Sequence, residues 1–206
     1  MRCRNYFCTF FTLSPLYIFL IVLLCGWPES AIGAEILSPQ QSNELIQSQG
    51  AVLLDVRTVK EAKIVGSPAD EAAGTPLGYT IPYELRLGRV ATTENPFFVG
   101  AVEQALGDSR DVPVVVMCHT GRRATAAASQ LESMGFAEVF IMDDPQDAGN
   151  VGGFGGTYTT SYRGWPVFLP TADVPQPDSA TWLGSGLPIT NSVDPARVFV
   201  YPIPFQ

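Results

Sequence analysis

The sequence predicts an α/β domain, a central parallel β-sheet flanked by helices, followed by an irregular C-terminal extension. Three observations predict it. Short, mostly apolar runs recur at 51–56, 113–117 and 139–142. Each has the length of a strand, and each reads as buried on both faces because apolar residues occupy successive positions. Segments with helix start and stop signals alternate with these runs, so the strands are joined by crossovers and lie parallel. From Pro166 onward the chain is rich in Pro, Gly, Ser and Thr and carries no helical period, which is the composition of an extension and not of a second core.

The chain begins with Arg2 and Arg4, an apolar run from Leu16 to Leu24, and the small residues Ser30-Ala31-Ile32-Gly33-Ala34. This is the order of a secretory signal. The apolar run is well short of the ~20 residues that span a bilayer as a helix. Residues 1–34 are therefore expected to be a leader cleaved near Ala34, with a membrane contact only if it is retained. The expected location is exported, periplasmic or otherwise extracytoplasmic. Residues 35–170 are read as the domain and 171–206 as the extension. Within the domain, Ser38 can cap a helix whose first turn holds Pro39 and whose end is Gly50. The apolar run 51–56 follows. Residues 66–83 carry Gly and Pro breaks and read as a long loop. Asn95-Pro96 starts a helix through Phe97, Phe98, Val102 and Leu106, 113–117 is the second strand, and the Ala-rich stretch from Arg122 to Met134 is a helix stopped by Gly135. Residues 139–142 form the third strand. The glycine cluster at 152–156 reads as a tight turn, because no helix pattern follows it. Val198 to Tyr201 is an apolar piece able to pack on the domain, and the extension as a whole is expected to be an accessory to it.

The 206 residues carry 12 basic and 20 acidic side chains, a net charge of −8. Loss of Arg2, Arg4 and Glu29 with the leader makes the mature chain one charge more negative. Such a chain suits neither nucleic acid nor an anionic lipid surface. One histidine and one mature cysteine give no zinc-ligand spacing, so neither a metal nor another cofactor is expected.

That cysteine is Cys118; Cys3, Cys8 and Cys25 fall in the leader. It closes the run Val114-Val115-Val116-Met117 and is followed by His119, Thr120, Gly121, Arg122 and Arg123. In α/β sheets ligands bind beyond the carboxyl ends of the strands, where both Cys118 and Asp55 lie. A loop turning into a helix there aims backbone N–H groups and the positive helix end at one spot. Gly121 lets the loop curl, and the two arginines can grip an oxyanion. A thiolate is favoured in such surroundings. A cysteine phosphatase loop would need an arginine at Ala124, one residue further on, so this loop is too short for phosphate. The bland alternative is a buried, inert thiol. Arg123 is expected to point inward or to brace the loop, and Arg122 to sit nearer solvent. His119 is expected to point outward, since a stabilised thiolate needs no base. Asp55 and Arg57 are expected to support the site structurally, with Arg57 pairing Glu61 one helical turn on.

Cys118-His119-Thr120-Gly121-Arg122-Arg123 resembles the active-site loop of single-domain rhodaneses, a sulfurtransferase family. Further stretches agree in order: Leu53-Leu54-Asp55-Val56-Arg57, Ile81-Pro82, Met134-Gly135-Phe136, Gly152-Gly153 and Gly164-Trp165-Pro166-Val167. The resemblance covers about Leu37 to Pro170. It implies a persulfide formed on Cys118 from a small sulfur-containing anion such as thiosulfate, then passed to a thiol, cyanide or protein cysteine. It equally admits a rhodanese-like binding module without sulfur turnover, with the extension docking a partner.

Overall fold

The computed structural model describes residues 33–87, 91–119, 121–146, 153–154, 160–162, 165–167 and 181–200. The chain divides into two units, Met1–Gly33 and Ala34–Gln206. Residues 1–32 of the expected leader lie outside the described residues, and everything below concerns the second unit. In chain order the elements are β1 (Glu35–Leu37), α1 (Pro39–Gln49), β2 (Val52–Asp55), α2 (Val59–Val65), β3 (Ser67–Pro68), β4 (Tyr79–Thr80), β5 (Glu84–Leu87), β6 (Ala91–Glu94), α3 (Phe98–Leu106), β7 (Val114–Met117), α4 (Arg122–Ser133), β8 (Val139–Met142), β9 (Thr160–Tyr162), β10 (Trp165–Val167) and β11 (Ile189–Thr190).

The three apolar runs become β2, β7 and β8, the centre of a five-stranded sheet in the order β1-β8-β7-β2-β4. Every neighbouring pair in it is parallel. The two edge strands were not foreseen. Tyr79–Thr80 lies inside the stretch read as a loop and becomes a strand by pairing with Leu54 and Asp55. Gly78 makes that approach possible, because a Cβ there would lie 2.8 Å from Leu53 Cβ. Helix α1 begins as its sequence suggests. Ser38 Oγ accepts from the Gln41 N–H at 3.3 Å, and the Gln41 side chain returns the bond to the Ser38 N–H at 2.9 Å. Gly50 ends it in the left-handed conformation at φ 68°. Helix α3 starts at Phe98, later than expected, because Asn95 turns the chain first. Its side chain accepts from the Phe97 N–H at 3.0 Å and donates to the Pro82 carbonyl at 2.9 Å.

Alternation along the strands divides the core into two faces. On one, Leu54, Val114 and Val116 pack against Phe98 and Val102 of α3 and Ala124, Ala127 and Leu131 of α4. On the other, Leu53, Val115, Met117 and Met142 pack with Phe154 and Trp182, flanked by Leu45 and Ile46 of α1.

Trp182 corrects the expectation of an accessory tail. It is fully buried, although it belongs to the region with no periodic pattern. Its N–H donates to the Gly153 carbonyl at 2.9 Å, the next N–H donates to the Phe154 carbonyl at 3.2 Å, and its indole N–H donates to the Pro188 carbonyl at 2.9 Å. Beyond it, β11 pairs antiparallel with β3. Residues 198–200 then run along the outer edge of β4, where the Phe199 N–H donates to the Thr80 carbonyl at 3.0 Å and the Phe199 ring meets Tyr79 at 5.9 Å. The extension thus completes one face of the core and covers an edge strand that would otherwise expose unpaired backbone groups. Tyr201 lies outside the described residues.

Candidate active site

Cys118 follows directly on β7, at the carboxyl end of the sheet. The strand ends are tied together there: the Val56 N–H donates to the Met117 carbonyl at 3.0 Å, and the Phe154 N–H donates to the Cys118 carbonyl at 3.2 Å. Cys118 is unbridged and only 1% exposed, packed among the residues of the α3/α4 face. Gly121 takes φ 75°, a conformation costly for any residue with a Cβ, and turns the chain into α4. Its carbonyl accepts the Thr125 N–H at 2.8 Å, so the helix is closed from its first turn. Gly121 at the N-cap brings no capping side chain, and no acidic residue stands in the first turn. The leading N–H groups and the positive end of α4 are therefore not neutralised by the helix's own side chains.

The two arginines behave differently. Arg123 is turned inward, with its side chain 12% exposed, and forms a two-pronged ion pair with Glu61 at 2.9 and 2.8 Å. It braces α4 to α2. Glu61 also completes the capping box of α2 with Thr58 at the N-cap, accepting from the Thr58 N–H at 2.9 Å and the Thr58 hydroxyl at 2.7 Å. Burial alone would raise the Glu61 carboxyl. The Arg123 hydrogen bonds and charge, together with the Thr58 bonds, overcome this and hold it at about 2 against an ordinary 4.5. Because the folded value is the depressed one, this stabilisation is complete above pH 4.5 and is lost as pH falls toward 2. We expect Arg123→Ala to unfold in less urea at pH 7 by a margin equivalent to about 3 kcal/mol. The gap from wild type should close as the pH is lowered through that window. A gap of the same size at pH 7 and at pH 2.5 would assign the loss to packing of the arginine stem instead.

Arg122 lies outward, its side chain 72% exposed, and is held by Glu84 of β5 at 2.8 and 3.0 Å. The neighbouring Tyr83 donates its N–H to the Val56 carbonyl at 3.1 Å and sets its ring edge-on to Phe98 at 5.1 Å. Burial, then a hydrogen bond to Glu94 and the charges of Glu94 and Glu84, raise its phenol above the ordinary value.

Arg57 does not pair with Glu61. It binds Asp55, through Nε at 2.9 Å and Nη2 at 2.6 Å, and donates to the Gly66 carbonyl at 2.8 Å. Its guanidinium lies 4.0 Å from the centre of the Phe154 ring. The helical i,i+4 rule does not apply, because Asp55 and Arg57 leave the chain while it is still extended and so share one side of it. Both are buried, and the pair anchors the end of β2 without facing solvent. His119 is likewise corrected: it is 5% exposed and not turned outward. Thr120 lies outside the described residues. Of the 152–156 cluster only Gly153 and Phe154 are described. A Cβ at Gly153 would stand 3.0 Å from the Met142 carbonyl carbon, so its role is close backbone contact. Sequence reasoning missed Glu61 and Glu84 as the arginines' partners; they lie 62 and 38 residues away, and no local spacing marks them.

The Rhodanese-like domain family model matches residues 38–144. No curated protein matches the chain. Among solved structures it is similar to Rv0390 of M. tuberculosis, with a TM-score of 0.52 at 22% identity over 78% of this chain and 99% of that one. It is also similar, over about half its length, to the polysulfide-sulfur transferase homodimer of Wolinella succinogenes (26% identity, 53% of this chain and 67% of that one, TM-score 0.36) and to the human single-domain sulfurtransferase TSTD1 (24%, 53% and 89%, TM-score 0.34). The parallel sheet, its flanking helices and a family match over more than half the sequence place the conclusion beyond the loop motif alone: the chain belongs to the rhodanese-like domain family.

Proposed function

We propose that the protein transfers sulfane sulfur through a persulfide on Cys118. The observation that carries this reading is the position of Cys118, at the turn between β7 and the start of α4. In the proposed step the Cys118 thiolate attacks the outer sulfur of a donor such as thiosulfate. The new bond joins Sγ to that sulfur. The old sulfur–sulfur bond breaks, and its electron pair leaves with sulfite. The persulfide anion so formed is suited to the N–H groups and the positive end at a helix start. A thiol, cyanide or protein cysteine then takes the outer sulfur and regenerates the thiolate. The leader-like residues 1–34 support placing this chemistry outside the cytoplasm, where a single retained thiol needs a use.

The test is direct. After incubation with a large excess of thiosulfate, the intact protein should gain the mass of one sulfur atom and lose it again on addition of cyanide. A second reading, a rhodanese-like binding module whose thiol is not turned over, is favoured by one observation, the 1% exposure of Cys118. Unchanged mass with thiosulfate and with an organic persulfide would select it.

A further inference from the structure

The β5–β6 hairpin places negative charge beside the proposed sulfur site. Glu84 of β5 holds Arg122, while Glu61 holds Arg123, so both cations of the loop are already paired with carboxylates. In the hairpin register Glu84 stands directly opposite Glu94. Like charges in that position destabilise a two-stranded ribbon, and a pair of alternating neutral residues would serve the fold better. The base of the hairpin is fixed against the strand ends, because the Tyr83 N–H is bound to Val56 and the Val56 N–H to Met117, the residue before Cys118. Glu61 and Glu84 thus each hold one arginine of the loop, and Glu94, hydrogen-bonded to Tyr83, adds a further carboxylate, on a protein of net charge −8.

From this geometry we infer that Glu84 determines donor specificity: it occupies Arg122 and disfavours doubly charged inorganic donors such as thiosulfate, relative to singly charged organic persulfides. The inference rests on the reading of Cys118 as the sulfur carrier. With an organic persulfide R–S–S⁻, the Cys118 thiolate attacks the outer sulfur, the R–S to outer-sulfur bond breaks with its electron pair leaving on R–S⁻, which takes a proton from water, and the same Cys118 persulfide anion remains. The two donors thus differ in the charge brought to the rim and not in the product on the enzyme. Arg122 is the cation able to respond, since its side chain is largely exposed whereas Glu84 is 15% exposed. Removing the Glu84 charge both lessens repulsion and frees Arg122 for the donor.

The experiment compares Glu84→Gln with wild type in Cys118 persulfide formation, using thiosulfate and the persulfide of N-acetylcysteamine, an uncharged thiol. Glu84→Gln should raise the rate with thiosulfate by roughly 2- to 5-fold and leave the organic donor unchanged within error, an effect of the size expected for one partly exposed charge. Adding Arg122→Ala to Glu84→Gln should remove most of the gain. Wild type supplies an independent readout that does not depend on the variant folding. Its rate with thiosulfate should rise as salt is increased from about 0.01 to 1 M, because the Debye length falls from ~30 to ~3 Å and repulsion is screened. A rate that falls with salt, or a donor ratio unchanged in Glu84→Gln, overturns the inference while leaving the persulfide intact. No persulfide from either donor overturns the reading of Cys118 and the inference with it.

Discussion

Cys118→Ala should load no sulfur from any donor, yet fold and unfold cooperatively as the wild type does. The residue packs at 1% exposure beside Val116 and Ala124, so alanine leaves only the space of one sulfur atom, a loss on the order of 1 kcal/mol. Serine is the poorer probe here. It would place a hydroxyl in apolar surroundings at a cost of ~1–3 kcal/mol if no partner is found, and a fall in loading could then be confused with a fall in stability. The burial of Cys118 also has a kinetic consequence. At 1% exposure Sγ is reached by a donor only when neighbouring groups shift. Alkylation of the wild-type thiol by a small reagent should accordingly be faster than by a bulky one. The comparison is made by intact mass and by urea unfolding of both proteins. A Cys118→Ala protein that still gains sulfur from thiosulfate would remove the residue from the chemistry. Loss of stability with no wild-type loading to lose would make it a core residue only.

What could be read in advance follows the range of the interactions. Strands β2, β7 and β8 were legible because burial on both faces forces runs such as Val114-Val115-Val116-Met117, and few other structures use four successive apolar β-formers. Gly50 and Gly135 were legible as helix stops because positive φ is a local property, 68° and 90° here. The thiol, the glycine and the two arginines of the loop were legible for the same reason. Strands β1 and β4 were not. Glu35–Leu37 and Tyr79–Thr80 are too short to show a period and become strands only through β8 and β2. The arginine partners were invisible because Glu61 and Glu84 come from other elements. For Arg57 a real rule was applied to the wrong geometry, since the chain at 55–57 is still extended and the nearest carboxylate is two residues back, not four ahead. Trp182 was hidden by its surroundings. Composition reads 171–206 as an extension without a period, but a segment without a period can still deliver one large side chain to a core, and nothing periodic announces it.

Trp182→Ala should be the most destabilising single change at a residue away from the site. Its side chain is the largest fully buried one among the described residues and packs with Met117, Met142 and Phe154. Truncating a buried Trp to alanine typically costs 3–5 kcal/mol, from lost transfer energy and the cavity left behind, against a total stability of about 5–15 kcal/mol for a domain. Its indole N–H bond to Pro188 disappears as well. Two truncations separate this core contribution from the covering of the β4 edge. A chain ending at Thr190 keeps Trp182 and β11 but loses residues 191–206. It should fold with a modest loss and an increased tendency to associate, since β4 is then uncovered. A chain ending at Pro170 loses Trp182, β11 and the edge cover together. It should be largely unfolded or insoluble, because the apolar surface around Phe154, Met142 and Leu53 loses Trp182, its largest buried side chain among the described residues. Urea midpoints and sedimentation of the three proteins decide the matter. If the chain ending at Pro170 were soluble and within about 1 kcal/mol of full length, a margin ordinary for a surface change, Trp182 would be a passenger in the core and residues 171–206 an accessory after all.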